Sequence, residues 1–245
     1  MKKNLLTALT LGSLTLGLSL LTGCESSTTA APAPVVSTAT VRTGNIHNLS
    51  TQSGANAASL TWSHSVFAGA NRMLLVAVTK RALVDLGSVT YGGAPLTKLG
   101  ASDAGTGNNP HAEIWYLLSP PVGTADIVAT LSSGIEFWQV AALDITGIDQ
   151  TTPFGTPMRA AKSTANPGVT AAALGNDLVL DVVAYESHTD TVVAGPGQFR
   201  LWSGSCDGNW KGAVSTEAGA ASVDMTWALP AGNWAQIAVA LKPAP

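Results

Sequence analysis

The sequence predicts an all-β protein, a two-sheet jelly-roll-like β-sandwich, and three observations carry that prediction. Of 245 residues, 46% are hydrophobic and only 11% are charged, where an ordinary soluble domain carries roughly 25% charged residues. The apolar residues fall in short runs rich in β-branched and aromatic side chains, each bounded by Gly, Pro, Asn or Asp, which is the signature of strands. No long segment keeps a helical period, and Glu, Lys and Arg are too scarce for a coiled coil. The same hydrophobicity excludes intrinsic disorder.

Taken in order, runs 59–67, 73–79, 88–91, 112–118, 126–131 and 137–145 read as strands of a first half. Runs 169–173, 178–185, 198–202, 222–229 and 234–241 continue the pattern in a second. Strands at regular spacing without intervening helices give a sandwich or barrel. The halves also echo each other. Asn71-Arg72-Met73-Leu74-Leu75-Val76 resembles Asn176-Asp177-Leu178-Val179-Leu180-Asp181, and Phe137-Trp138-Gln139-Val140 resembles Trp234-Ala235-Gln236-Ile237, at offsets of 105 and 97 residues. Any two buried strands look partly alike, so internal duplication stands as one of two readings.

Ahead of this body, Met1-Lys2-Lys3-Asn4 is basic and 5–21 is a short, weakly apolar stretch, the layout of a secretory signal rather than a membrane span. Leu21-Thr22-Gly23-Cys24 closely resembles the lipobox of bacterial lipoproteins. The resemblance implies cleavage after residue 23, acylation of Cys24 and a location in the cell envelope, with two or more acyl chains giving stable anchoring. Glu25, in place of Asp, resembles the pattern routed to the outer membrane or cell surface. Residues 24–44, rich in Ser, Thr, Ala and Pro around Ala31-Pro32-Ala33-Pro34, form an extended tether. Residues 45–245 are then the β-sandwich domain. Within it, Val89-Thr90-Tyr91-Gly92-Gly93, Glu113-Ile114-Trp115-Tyr116-Leu117, Pro120-Pro121-Val122-Gly123-Thr124 and Ser215-Thr216-Glu217-Ala218-Gly219 resemble turns and packing motifs of β-sandwich modules in bacterial secreted and surface proteins. That likeness implies a fold and a location, and carries over no catalytic or ligand residue.

The formal charge is −3, and losing Lys2 and Lys3 with the leader leaves 10 basic against 15 acidic residues. Nothing basic clusters to neutralise phosphates, so nucleic acid is not an expected partner. A serine-hydrolase elbow, a phosphate loop and zinc spacing are absent from the sequence. Glu186-Ser187-His188-Thr189-Asp190 and the loop 103–110 are polar runs that need no metal, and neither metal nor cofactor is expected. Glu113, Glu136, Glu186 and Glu217 are carboxylates that a glycosidase would need in facing pairs, but the sequence pairs none of them, so no enzyme is expected. Cys206 is left alone in a turn once Cys24 is acylated.

Strand alternation supplies the candidate site. In 112–118 the residues Ala112, Ile114, Tyr116 and Leu118 fit a core face, which sends His111, Glu113 and Trp115 the other way. In 198–202, Phe199 and Leu201 fit the core, leaving Arg200 and Trp202 opposite, with Trp210 following. Aromatics beside polar groups stack sugar rings and bond their hydroxyls. Trp115, Trp202, Trp210, His111, Glu113 and Arg200 are therefore the expected ligand face of a lipid-anchored module that binds polysaccharide or a surface protein. The alternative is a structural or adhesive coat lipoprotein without a small ligand.

Overall fold

The computed structural model describes residues 39–81, 84–105, 107, 109–187, 192–207 and 209–245. The leader and Cys24 lie outside the described residues, as do His188 and Asp190. No helix among the described residues is long and apolar enough to cross a membrane.

The chain is all-β. In the first half, β1 (Ile46–Ala57), β2 (Ser59–Val66), β3 (Met73–Arg81), β4 (Leu86–Tyr91), β5 (Ala94–Pro95), β6 (Thr97–Asp103), β7 (Pro110–Leu118), β8 (Gly123–Leu131) and β9 (Glu136–Ile145) follow a one-turn 3-10 segment at Thr43–Asn45. They build two antiparallel sheets, ordered β1-β9-β3-β7-β6 and β2-β8-β4-β5. Facing sheets β1-β9-β3-β7 and β2-β8-β4-β5 have the jelly-roll order, and β6 is added at one edge. Gly92 and Gly93 join β4 to β5 with φ of 54° and 85°, the positive values that a tight hairpin turn requires.

The second half comprises β10 (Met158–Thr164), β11 (Gly168–Ala171), β12 (Leu178–Glu186), β13 (Val193–Ala194), β14 (Phe199–Ser205), β15 (Trp210–Ala218), β16 (Val223–Ala228) and β17 (Gly232–Leu241). Its sheets are ordered β10-β17-β12-β15-β14 and β11-β16-β13. Strand for strand, this repeats the first half without a counterpart of β5. The pairing corrects one detail of the repeat. Leu75 pairs with Leu143, and its equivalent Leu180 pairs with Val239, so β9 and β17 correspond at an offset of 96, not 97. Trp138 is thus the partner of Trp234, while Gln139 and Gln236 are not equivalent. A one-residue slip flips a side chain to the other face, and these two glutamines do point to opposite faces.

The four sheets stack as layers. Leu74, Val76, Val78, Trp138 and Val140 fill the gap between the first outer sheet and its inner partner, with Trp62 and Ile127. Met73, Leu75, Ala77, Ile114 and Leu143 face Leu180, Val182, Val214, Ile237 and Val239 across the gap between the two five-stranded sheets. Val179, Val223 and Met225 fill one part of the last gap, and Val183, Tyr185, Trp227 and Trp234 the other. Strands β3, β9, β12 and β17 are buried on both faces, which explains their unbroken apolar sequences. Packing begins ahead of Asn45. Val41 is fully buried in the central gap and its N–H donates to the carbonyl of Asn176 at 2.9 Å.

Candidate functional site

The alternation in β7 is as expected, but both of its faces are covered. Ala112 and Ile114 enter the central gap, whereas Trp115 packs in the outer gap of the first sandwich. Trp115 is 7% exposed, His111 5% and Glu113 not at all, so the expected ligand face is interior. Glu113 binds three donors there. His111 Nε2 donates to Oε1 at 2.7 Å, Trp115 Nε1 donates to Oε2 at 2.8 Å, and Lys98 Nζ lies 3.1 Å from Oε2. Burial alone would raise this carboxyl, but His111, Lys98 and the indole N–H together hold it down to about 2. Lys98 also stands 5.8 Å from the centroid of the Trp115 ring. Every acceptor of Glu113 is engaged from inside the protein, which is the arrangement of a buried structural ion.

Trp210 is 8% exposed, its N–H donating to Asp207 and its carbonyl accepting from Gln139 Nε2 at 3.1 Å. Arg200 is exposed, as expected, and donates to the carbonyl of Val192. In β14 the expected alternation fails because of a bulge between Arg200 and Trp202. A bulge inserts an unpaired residue and re-aims its neighbours. Leu201 and Trp202 consequently both lean on the central core, and Phe199, expected inside, is 60% exposed.

Trp202 is thereby brought to a cleft that alternation did not foresee. Edge strands β1 and β14 flank one side of the central gap, and between them lie Thr51, Gln52, Ser53, Gln139, Trp202, Gly204 and Ser205 around about 220 Å³ of space. A Cβ on Gly204 would stand 2.6 Å from Cζ2 of Trp202 and 3.0 Å from Oε1 of Gln139, so the bare backbone here is what lets the indole lie across the strand. Gln139 is 2% exposed. Its amide nitrogen is bonded to Trp210, but its Oε1 accepts no hydrogen bond among the described residues, and neither does the indole N–H of Trp202 find an acceptor. That oxygen keeps access to the open space of the cleft, where a ligand hydroxyl can reach it.

The internal repeat provides a control for this cleft. Trp202 pairs with Val214 as Gly100 pairs with Ile114, and Gly204 pairs with Gly212 as Ser102 pairs with Ala112. At the β6–β10 side, Arg159 lies over Gly100, and Ser102 donates to the carbonyl of Ala160 at 3.0 Å. That side is closed by contacts that Trp202 and Gly204 do not make at the other.

Other buried polar groups serve packing. Asp181 accepts from Ser215 Oγ, from Trp227 Nε1 at 2.7 Å and from Gln236 Nε2 at 2.6 Å, and burial pushes its carboxyl up to about 6. Ser50 Oγ joins His64 Nδ1 at 2.7 Å and accepts from Trp62 Nε1 at 3.0 Å, with His64 only 2% exposed and lowered to about 4 by burial. Cys206 is half-buried, its thiol pushed up to about 12 by burial and then by Asp207. No group of three or more candidate metal ligands occurs among the described residues. No family model matches the chain, and no curated protein or solved structure matches it either.

Proposed function

We propose that the protein is an envelope lipoprotein, anchored through Cys24, that binds a neutral polysaccharide in the cleft between β1 and β14. The observation that carries this reading is the pair formed by Gln139 and Trp202. An amide oxygen with no donor among the described residues sits beside an indole that lies against Gly204, in a cleft also lined by Thr51, Ser53 and Ser205. Sugar rings stack their C–H faces on such an indole and supply hydroxyl donors to such an oxygen. No carboxylate or cation lines this stretch, which fits an uncharged ligand. Of the six residues expected at a ligand face, the reading keeps Trp202, assigns Trp115, His111, Glu113 and Trp210 to packing, and leaves Arg200 exposed on β14 outside this stretch.

The test is retention of the full-length protein on insoluble cellulose, xylan, mannan and chitin. Wild type should be retained on at least one, and Trp202→Ala and Gln139→Ala should each lose retention while still melting cooperatively, Gln139→Ala at a lower temperature because the Trp210 carbonyl loses its donor. Retention on none of the four leaves the structural coat reading in its place. Anchoring has its own test, since Cys24→Ser should abolish fatty-acid labelling and release the protein from membranes. Equal labelling of both forms would end that part of the reading.

A further inference from the structure

We infer that the cleft takes a linear polysaccharide along its length, holding internal sugar units rather than a chain end; this rests on the binding reading above. The space around Trp202 is one stretch of a longer furrow. A second stretch of about 390 Å³ lies between the same two strands, lined by His47, Asn48 and Leu49 of β1 and by Phe199, Arg200 and Leu201 of β14, with the Arg200 guanidinium held by the carbonyl of Val192. Residue numbers rise together on both walls, from Ile46 to Ser53 on β1 and from Phe199 to Ser205 on β14. The furrow therefore follows the strand axis, and eight residues of β1 span about 23 Å at about 3.3 Å per step. His47 and Ser53, near its two ends, are both exposed, which leaves these ends of the β1 wall open to solvent.

Each stretch offers one aromatic ring. Phe199 is 60% exposed on an edge strand, and it stands about 7 Å before Trp202 along β14, because the bulge sets these three steps against two on β15. A single sugar reaches one ring only. A chain of two or three units reaches both, and the second contact then adds without a second cost of association. The extended shape, the two rings in line and the open ends together define a polymer rather than a small sugar.

The experiment measures binding of the full-length protein to an oligosaccharide ladder, from the monosaccharide upward, made from whichever of the four polymers retains it. Affinity should rise about tenfold from the monosaccharide to the trisaccharide and then level off. Phe199→Ala should remove this rise and leave monosaccharide affinity unchanged, whereas Trp202→Ala should abolish binding at every length. Borohydride reduction of the chain end should change nothing. A flat length profile, or loss of binding on reduction, would overturn the inference while the dependence on Trp202 still upheld the binding reading. Retention on no polymer overturns both.

Discussion

Glu113 has no exposed surface and yet stays ionised, because His111, Lys98 and Trp115 replace the water it has lost. Its carboxyl sits at about 2 instead of 4.5, a gap equivalent to about 3 kcal/mol. A depressed carboxylate stabilises the fold above its ordinary value, and that stability is lost as pH falls from 4.5 toward 2. Glu113→Gln should therefore melt well below wild type at neutral pH and lose part of the acid dependence, a contrast that thermal melts across this range will reveal. Asp181 works in the opposite sense. Its carboxyl is raised from 3.8 to about 6, so its contribution is greatest below 3.8 and declines as pH rises to about 6. Asp181→Asn should flatten that decline, and an unchanged slope in the variant would assign it to another group. The tryptophans separate in the same assay. Trp115→Ala should cost roughly 3–5 kcal/mol as a core truncation, while Trp202→Ala, at a partly buried position, should cost clearly less. Period-two reasoning placed His111, Glu113 and Trp115 together on one face from sequence alone. What it could not contain was the outer sheet, made by residues distant along the chain, that covers that face.

Edge strands set the limits of legibility at the next scale. The central strands β3, β9, β12 and β17 announce themselves by runs of Val, Leu, Ile and Ala, since both of their faces are buried. Strands β1, β6 and β10 lie at sheet edges, carry Ser, Thr, Asn, Gly and Lys, and gave no strand signal. The cleft is built from just such an element, β1, and from a bulge in β14 whose equivalent recurs between Lys98 and Gly100 in β6. A bulge depends on the register of two strands and has no mark in one of them. The duplicated edges also indicate how the cleft is kept open. Gly204→Ser installs the residue that closes the opposite side at Ser102, and it meets Trp202 and Gln139 directly. This variant should keep its melting temperature within a few degrees and lose polysaccharide retention. Retention unaffected by the serine would mean that the indole need not lie over position 204.

Across the whole molecule, one continuous apolar cluster joins the two sandwiches, drawing on both five-stranded sheets. Neither half covers its own five-stranded sheet without the other, so residues 39–245 should unfold in one transition, with far- and near-ultraviolet circular dichroism coinciding. Two separated transitions would show that a half is stable by itself. The duplication was visible in two pairs of strand sequences, but not the pairing of like sheet to like sheet, which follows from their shared need for cover. Both ends of the described chain reach the same pole. Val41 bonds Asn176 there, and Ala244 donates to the carbonyl of Gly147. The chain enters β1 from that pole, and β1 forms one wall of the furrow. Drag on a bound polymer, opposed by a hold on the preceding segment, would thus run along the axis of β1. Its antiparallel ladder with β9, from Ile46 opposite Ile145 to Ala57 opposite Glu136, would be loaded in shear, with many rungs sharing the force instead of parting one by one.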